Sequence, residues 1–302
     1  MTSLGIERRQ SIDIAAAAIM LGLTFSWGLN GVAAKLTNTG YDPVFAVLAR
    51  SALASVLIFF WCRLRGIPLF ERDGTLVAGI VAGVLFGAEF ALMFIGLDFT
   101  SVARGTLLIN TMPFWVLIGG HFLLGEHMSA RKFAGLAFAF VGVALVFSDK
   151  LSLPTPDAIV GDVLNFLAGI LWAATTLVIR RSRLQFVSAE KVLLYQLVVS
   201  AIVMVPLLAL AGPPVRDGNW LATGAMLFQA FYVVGFTYVV WFWLMGRYTA
   251  SGLTSFAFLS PVFGVLCGAL LLDEPLSWRI FAALLMVVVG LIIVNRPARQ
   301  KA

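Results

Sequence analysis

Long apolar runs, each bounded by charged or turn residues, follow one another along almost the whole chain. A hydrocarbon core about 30 Å thick takes about 20 helical residues to cross. Ten runs meet that length and predict an all-α integral membrane protein with ten transmembrane helices, near residues 13–35, 43–62, 75–97, 102–124, 131–148, 160–180, 189–211, 220–244, 250–272 and 278–295. Arg8 and Arg9 before the first run resemble a secretory signal, but the run continues to Ala34 and is expected to stay as the first helix.

Composition supports the membrane assignment and argues against nucleic-acid-binding and metal-binding proteins. Hydrophobic residues make up 61% of the 302 positions and charged residues 12%. The net charge of +6 is scattered between apolar runs, whereas nucleic-acid binding needs a concentrated basic face, so we expect no nucleic-acid partner. Cys62 and Cys267 lack metal or redox spacing, and so do His121 and His127. We therefore expect no metal and no cofactor.

The distribution of basic residues predicts the orientation of the chain. With ten crossings, fifteen of the 21 Lys and Arg residues fall on the side of the N-terminus and five on the opposite side, while Arg50 lies within the second helix. Basic residues gather on the cytoplasmic side of membrane proteins. The pattern predicts a multi-pass protein of the cell inner membrane with both termini in the cytoplasm.

The second half of the chain repeats polar and proline positions of the first half. A shift of 148 positions pairs Pro113 with Pro261, Glu126 with Glu274, Ser129 with Ser277 and Arg131 with Arg279, and a shift of 145 pairs Trp27 with Trp172 and Lys35 with Arg180. The halves, 1–150 and 151–302, hold five helices each, and an odd number sends the second copy into the membrane from the opposite side. Inverted repeats of this kind are typical of secondary transporters with a site near the midplane.

The motifs in these halves carry a resemblance to a family. Trp27-Gly28, the stretch from Thr100-Ser101-Val102-Ala103 through Pro113 to Leu124-Gly125-Glu126, and its second copy from Thr249-Ala250-Ser251 through Pro261 to Leu272-Asp273-Glu274-Pro275 resemble the drug/metabolite transporter superfamily, and its ten-helix EamA branch in particular. The resemblance implies a central cavity among helices one to four and six to nine, a peripheral fifth and tenth helix, and export of small metabolites such as aromatic amino acids. The chain departs from internal symmetry where Gly125 stands opposite Asp273.

Glu89 is an ionisable residue in the middle of the third helix. A carboxylate at that depth costs several kcal/mol unless it is protonated or paired, so we expect it to face the cavity. It is a candidate to bind a substrate ammonium group or to carry a coupling proton. The alternatives are a protonated structural acid or a pair with Arg50 or Arg104, and either arginine could instead receive a substrate carboxylate.

Other polar and aromatic side chains at membrane depth are candidates for substrate contact. Aromatic rings can stack on an aromatic or cationic substrate, and amides and hydroxyls there need partners from neighbouring helices or from substrate. The candidates are Trp27, Trp172, Tyr232, Tyr238 and Trp241 for stacking and Asn30, Asn110 and Ser255 for hydrogen bonding. Taken singly, each of these side chains is more often a packing residue than a ligand contact.

Two further patterns predict backbone geometry. Pro113 and Pro261 each lie in the middle of a predicted helix, where the ring frees the carbonyl of Ile109 or Ala257 and bends the helix, so both are candidate hinges. Gly79, Gly83 and Gly87 recur every four residues and predict close approach of a neighbouring helix.

Together these features favour a secondary transporter that moves a small metabolite, with export of an amino acid the leading interpretation, by alternating access. The chain carries no Walker A spacing, so ATP is not expected as the direct energy source. Proton exchange and passive facilitation are both compatible with the residues, and so are a monomer and a homodimer. A membrane-embedded enzyme acting on a lipid and a channel-like or scaffold subunit remain as alternatives, although the chain lacks the clustered carboxylates or HExxH helix that such an enzyme needs.

Overall fold

The computed structural model describes residues 12–148, 155–271 and 278–295, which form ten helical units joined by short connections. In chain order they are α1 (Ile14–Gly40), α2 (Pro43–Leu64), α3 (Leu76–Phe99), α4 (Val102–Leu124), α5 (Ala130–Phe147), α6 (Pro156–Arg181), α7 (Ala189–Leu207), α8 (Trp220–Met245), α9 (Ala250–Ser255, Phe256–Phe258 and Leu259–Leu271) and α10 (Trp278–Asn295). Within these ranges nine helices are long and apolar enough to span a membrane, and the remaining unit, α9, is broken. The predicted all-α membrane fold is confirmed.

The first helix runs five residues beyond its predicted end. The prediction stopped α1 at Lys35, but the helix continues to Gly40. The Lys35 ammonium reaches the backbone carbonyls of Leu97 and Thr100 at the end of α3, so its charge is satisfied without leaving the helix. Conversely, α7 ends at Leu207 rather than at residue 211, and Pro206 lies in its last turn.

Side-chain caps set where several helices begin. The Asp42 carboxylate accepts from the backbone N–H of Val44 over 2.8 Å, and Pro43 occupies the first turn, where a missing N–H does no harm. Asn219 Oδ1 accepts from the backbone N–H of Ala222 over 2.8 Å at the start of α8. These caps satisfy backbone donors that a helix start would otherwise leave unpaired in or near lipid.

Two ends of the bundle can be distinguished by their contacts. We call near face the end at which α1 begins and α10 ends, where Tyr248 Oη donates to Asp13 Oδ2 over 2.6 Å and Asn295 Nδ2 donates to Ser255 Oγ over 3.3 Å. We call far face the opposite end, where Arg216 pairs with Asp98 over 2.8 Å. The described beginning and end of the helical bundle therefore share one face.

The glycine spacing in α3 marks a close contact with α7. A Cβ atom placed on Gly83 would lie 2.4 Å from Val199 Cβ, and one on Gly79 would lie 2.5 Å from the ring of Tyr195. Gly87 meets Ser200 in the same way, at 3.2 Å. The predicted close approach is confirmed, and it packs α3 directly against α7.

Equivalent residues of the two halves make the same contact at opposite faces. At the far face Lys35 donates to the carbonyls of Leu97 and Thr100. At the near face Arg180, which the 145-residue shift pairs with Lys35, donates to the carbonyls of Met245 and Tyr248 over 2.6 and 2.8 Å. Met245 and Tyr248 lie 148 positions after Leu97 and Thr100. An inverted duplication predicts this relation between faces. The end of the second motif, Leu272-Asp273-Glu274-Pro275, lies outside the described residues, and so does Ser277.

Candidate functional site

Both helices that carry a candidate hinge proline are interrupted just before it. In α4 the helix pauses at Asn110 and Thr111 and resumes at Met112, with Pro113 in its first turn. In α9 a 3₁₀ segment, Phe256–Phe258, precedes the segment that contains Pro261. Since proline has no N–H to donate to the carbonyl four residues earlier, the helical ladder stops there. The breaks fall at equivalent places in the two halves and leave irregular backbone beside the interior.

The interior holds a cavity of about 380 Å³. It lies at mid-membrane depth, because Trp27 is the fourteenth of 27 residues in α1 and Glu89 the fourteenth of 24 in α3. From there it extends to the exposed Ser101, at the far face where α4 begins. Helices α1, α3, α4, α5, α6, α8 and α9 contribute its described lining. The resemblance implied helices one to four and six to nine around a cavity. The described lining differs from it by including Phe147 at the end of α5 and by containing no residue of α2 or α7.

Most of the candidate contact residues surround this cavity. Its lining includes Trp27, Asn30, Glu89, Asn110, Trp172 and Tyr238, together with the candidate hinge residue Pro261. Trp241 lies one layer deeper, at a small void below the cavity. Sequence reasoning had not singled out Phe90, Thr106 or Ser260, which also line it. Ser260 directly precedes Pro261, one of the two repeated prolines, and this position is the sequence signal that could have marked it as a cavity residue.

Two candidate contact residues lie elsewhere. The ring of Tyr232 is 44% exposed on the outer surface of α8, stacks on Phe228 at 5.4 Å and shares a hydrogen bond with Ser26. Ser255 is fully buried at the near face, where its hydroxyl donates to the Gly252 carbonyl. The periodicity of a helix cannot distinguish these faces when apolar residues surround it, as they do in α8.

Glu89 is 3% exposed, lines the cavity, and makes no hydrogen bond or ion pair with any described residue. Its electrostatic partner is Arg50, which is 1% exposed and whose three guanidinium nitrogens have no hydrogen-bond partner. The guanidinium carbon lies 3.6 Å from the centroid of the Phe90 ring. Arg50 does not reach water at the membrane surface. It is buried behind a ring that lines the cavity, and it forms no direct ion pair with Glu89.

Trp27 forms the centre of an aromatic cluster at the base of the cavity. Its ring meets those of Trp172, Tyr238 and Trp241 edge to face, with centroids 6.2, 6.1 and 5.4 Å apart. Its indole Nε1 donates to Thr237 Oγ1 over 3.0 Å, which fixes the orientation of the ring. Trp27 and Trp172 are equivalent in the 145-residue shift. This equivalent pair, one tryptophan from each half, lines the cavity.

The backbone of α8 is wound differently where it passes the cavity. Residues Phe228–Thr237 form a π-helical segment between two α-helical ones. Such segments are rare and concentrate at functional sites. Here the segment ends at Thr237, the acceptor for Trp27, and begins near Gln229, which donates to Thr37 of α1 over 2.7 Å. The hydropathy of the sequence carried no signal for it.

Glu126 closes the near face below the cavity. Its Oε1 accepts from Arg180 Nη2 over 3.1 Å and from the backbone N–H of Ala250 over 2.9 Å, and its Oε2 accepts from Ser251 Oγ over 2.7 Å. Burial disfavours the charged carboxylate. The Ser251 hydroxyl, the Arg180 charge and the two N–H groups at the start of α9 outweigh that effect and hold the pKa of Glu126 below its ordinary value. One carboxylate therefore joins α4, α6 and α9.

Little open space remains between the cavity and this closure. A void of about 20 Å³ lies beside Thr176, Gln196 and Trp241, and another of about 30 Å³ lies beside Arg180. A void needs about 10–15 Å³ to hold one water molecule. These two voids, which the described residues line, have room for a few waters and none for a metabolite.

At the far face, a second carboxylate holds α3, α4 and α6 together beside the cavity mouth. Asp162 accepts from Arg104 Nε over 3.0 Å and from Thr100 Oγ1 over 2.8 Å. This pairing occupies Arg104, which the sequence had offered as a partner for Glu89 or for substrate. Among the described residues, no group of three or more His, Cys, Asp and Glu side chains is placed to hold a metal ion.

Comparison with known proteins finds similarity over nearly the whole chain. The model of the EamA-like transporter family matches residues 14–148 and again residues 159–296. An uncharacterised transporter of Bacillus subtilis is 24% identical over 90% of this chain and 95% of its own length. A protein of Escherichia coli named "probable amino-acid metabolite efflux pump" is 26% identical over 88% of this chain and 90% of its own length. A crystal structure with 18% sequence identity shares the fold, with a TM-score of 0.78 over 93% of this chain and 98% of that one.

Proposed function

This chain belongs to the EamA-like transporter family, and from that premise we propose that it exports small metabolites, amino acids above all, by alternating access. The family and the relatives described above are transporters or efflux pumps, so the chain is a transporter and not an enzyme. Substrate, direction and mechanism are the proposal. The resemblance inferred from the motifs is confirmed.

The observation that carries the proposal is the cavity at mid-membrane depth, open at one face and closed at the other. A pathway open at both faces would behave as a channel. Here the cavity reaches exposed Ser101 at the far face, while the contacts of Glu126 close the near face. A site reachable from one side at a time is what a carrier needs.

Matching contacts in the two halves support an exchange between two such states. Lys35 binds the end of α3 at the far face as Arg180 binds the end of α8 at the near face. If the halves are inverted copies, the second can adopt the arrangement of the first, which closes the far face and opens the near one. The breaks before Pro113 and Pro261 provide places at which α4 and α9 could bend during this exchange.

The excess of basic residues on the near-face side supports a cytoplasmic near face and an inner-membrane location. On that orientation the structure corresponds to the outward-open state. Substrate would be received at the cytoplasm in the other state and released through the far face. The name of the Escherichia coli relative supports an amino acid as cargo, and the ring of aromatic side chains supports an aromatic one.

Glu89 is the residue through which a proton gradient could drive the cycle. It is the carboxyl group that lines the described part of the cavity, and it is free to bind either a proton or a cationic substrate. Facilitated diffusion would need the same site without the proton. The pH dependence of exchange by wild type and Glu89→Gln distinguishes the two.

Counterflow in proteoliposomes tests the proposal. Vesicles with purified protein are loaded with unlabelled tryptophan, and the uptake of labelled tryptophan from outside is followed. We expect several-fold faster uptake than into unloaded vesicles, because a loaded carrier returns faster. Uptake that is equal with and without internal tryptophan, across a panel of amino acids, would contradict a carrier and favour a channel. A C-terminal reporter fusion locates the end of the chain, and a C-terminus outside the cytoplasm would contradict the orientation.

A further inference from the structure

The cavity offers hydrogen-bond acceptors. Glu89 has no partner among the described residues. Asn30 and Asn110 also line the cavity, and the side-chain oxygen of each is buried without a hydrogen-bond partner, as is the Ser260 hydroxyl. The amide nitrogen of Asn110 is already bound to the Thr106 carbonyl over 2.8 Å, which leaves its oxygen as the unsatisfied atom. A buried acceptor without a donor costs about 1–3 kcal/mol, so a ligand that supplies donors is favoured.

The same lining offers no cationic side chain among the described residues. Three basic residues lie nearby, but none of them lines the cavity. Lys35 binds carbonyls at the end of α3, and Arg104 binds Asp162. Arg50 packs on the Phe90 ring with its three guanidinium nitrogens unpaired. A substrate carboxylate in this cavity would share it with the Glu89 carboxyl group, without an arginine or lysine in the described lining to receive it. Where both carboxyl groups are charged, they repel strongly in a medium of low dielectric.

The walls around Glu89 suit an organic cation. Trp27, Trp172 and Tyr238 line the cavity on the same level. Aromatic faces attract cations and also pack against an apolar body. A protonated amine would give Glu89 a charge-assisted hydrogen bond, and its remaining N–H groups would find the amide oxygens of Asn30 and Asn110 after small side-chain rotations.

We infer that this cavity recognises a protonated amino group on an apolar body, with Glu89 as the residue that determines specificity, and that a carboxylate on the substrate contributes nothing to binding. The inference rests on the proposed function, since it assigns the substrate class of the same site. It places apolar primary amines and carboxyl-blocked amino-acid derivatives among the substrates, and it excludes metabolites that carry only a negative charge.

Two matched sets of ligands test the inference on purified full-length protein. The indole set is tryptamine, tryptophan and indole-3-propionate, and the aliphatic set is isoamylamine, leucine and 4-methylpentanoate. Within each set the body is nearly constant while the amine and the carboxylate are removed in turn. Ligand-induced thermal stabilisation and calorimetry give the affinities, because a ligand bound only by the folded state raises its apparent stability.

In at least one set we expect the amine to bind as tightly as the amino acid or more tightly, and the acid to bind at least about tenfold more weakly. Glu89→Gln should weaken amine binding by about tenfold or more, whereas Asp157→Asn, which removes an exposed carboxylate at the start of α6, should not change it. Stabilisation by the acids equal to that by the amines overturns the inference. So does amine binding that survives Glu89→Gln, or the absence of binding by both amines.

The same ligands keep this inference separate from the proposed function. If tryptamine stabilises the wild type but no ligand is exchanged in counterflow, then the binding inference stands and the transport proposal fails. If amino acids are exchanged while indole-3-propionate competes as well as tryptamine does, then transport stands and the assignment of the substrate class fails.

Discussion

Arg180 and Glu126 form a buried ion pair that joins α6 to the end of α4, with Arg180 Nη2 3.1 Å from Glu126 Oε1 and side chains only 4% and 10% exposed. The pair lies between the two halves of the chain, and Glu126 also receives the first N–H groups of α9. Removal of one partner from a buried pair leaves an uncompensated charge and typically costs about 3–5 kcal/mol. The pair is therefore placed to hold the near face closed.

Glu126→Gln should open the near face. A cysteine reporter at Thr176, which lines the small void beneath the cavity, measures the opening by its labelling with a membrane-impermeant maleimide from the near side, in a chain with Cys62 and Cys267 replaced by alanine. We expect labelling to accelerate by at least about tenfold, since each 1.4 kcal/mol lost from the closed state is a factor of ten. Glu71→Gln, in the exposed loop after α2, serves as the control. Equal labelling rates in wild type and Glu126→Gln would mean that the pair does not close this face.

The contribution of Glu126 to stability should depend on pH in one direction. Its folded-state pKa lies below the ordinary value of 4.5, so the stabilisation is fully present above about pH 4.5 and is lost as pH falls through the folded-state pKa. The difference in thermal stability between wild type and Glu126→Gln should be constant from about pH 6 to pH 8 and should shrink below about pH 4.5. A difference that instead changes between pH 6 and pH 8 would show that another group is responsible.

Hydropathy and charge predicted the helices because burial in lipid depends on side-chain transfer, which is local in sequence. The same reasoning predicted that Glu89 faces a cavity, because a carboxylate that faces lipid costs several kcal/mol. The role of Glu126 was not predictable. Its partners Arg180 and Ala250 lie 54 and 124 positions away, and the motif around Gly125 marked the residue without naming its contacts.

Two further features could not be predicted from the sequence, because they involve contacts between distant residues. The π-helical segment in α8 carries no hydropathy signal, and the contacts of its residues Gln229 and Thr237 with α1 join positions about 200 residues apart, which no periodicity of the sequence indicates. Charged residues bound an apolar run, so the sequence predicts that α1 ends at Lys35, but two carbonyls at the end of α3 receive its ammonium group inside the bundle.

Gly83→Ala should destabilise the bundle. The added Cβ would lie 2.4 Å from Val199 Cβ and 2.9 Å from the Tyr195 carbonyl oxygen, so α3 and α7 must separate. Overpacking of this kind costs about 1–3 kcal/mol. Gly22→Ala is the matched control, because a Cβ there meets nothing within 4 Å and alanine favours the helix. The midpoint of thermal unfolding in detergent should fall for the first variant and stay or rise for the second. An unchanged midpoint for Gly83→Ala would argue against tight α3–α7 packing.

Thr237→Val should weaken substrate binding without unfolding the protein. The variant keeps the shape of the side chain but removes the acceptor for Trp27 Nε1, 3.0 Å away, so the indole at the base of the cavity loses its fixed orientation. The lost hydrogen bond corresponds to about 1 kcal/mol, or about a fivefold higher KM for counterflow. Thr237→Ser retains the hydroxyl and should remain within about twofold of the wild type. If both variants behave alike, then the hydroxyl does not position the ring.

Pro113→Ala should slow the exchange between faces while leaving binding intact. Alanine supplies an N–H that can donate to the Ile109 carbonyl four residues earlier, so the break in α4 can close into continuous helix. One added hydrogen bond of about 1 kcal/mol would favour the straight helix and slow counterflow by about fivefold. Pro113 does not line the cavity, so tryptophan affinity should change by less than about twofold. As a control, Pro206→Ala restores a backbone N–H in the last turn of α7, away from the break in α4, and should leave the counterflow rate unchanged. A counterflow rate for Pro113→Ala equal to that of the wild type would show that this proline is not a hinge. An equal decrease for Pro206→Ala would show that replacing a helix proline anywhere in the bundle slows the cycle.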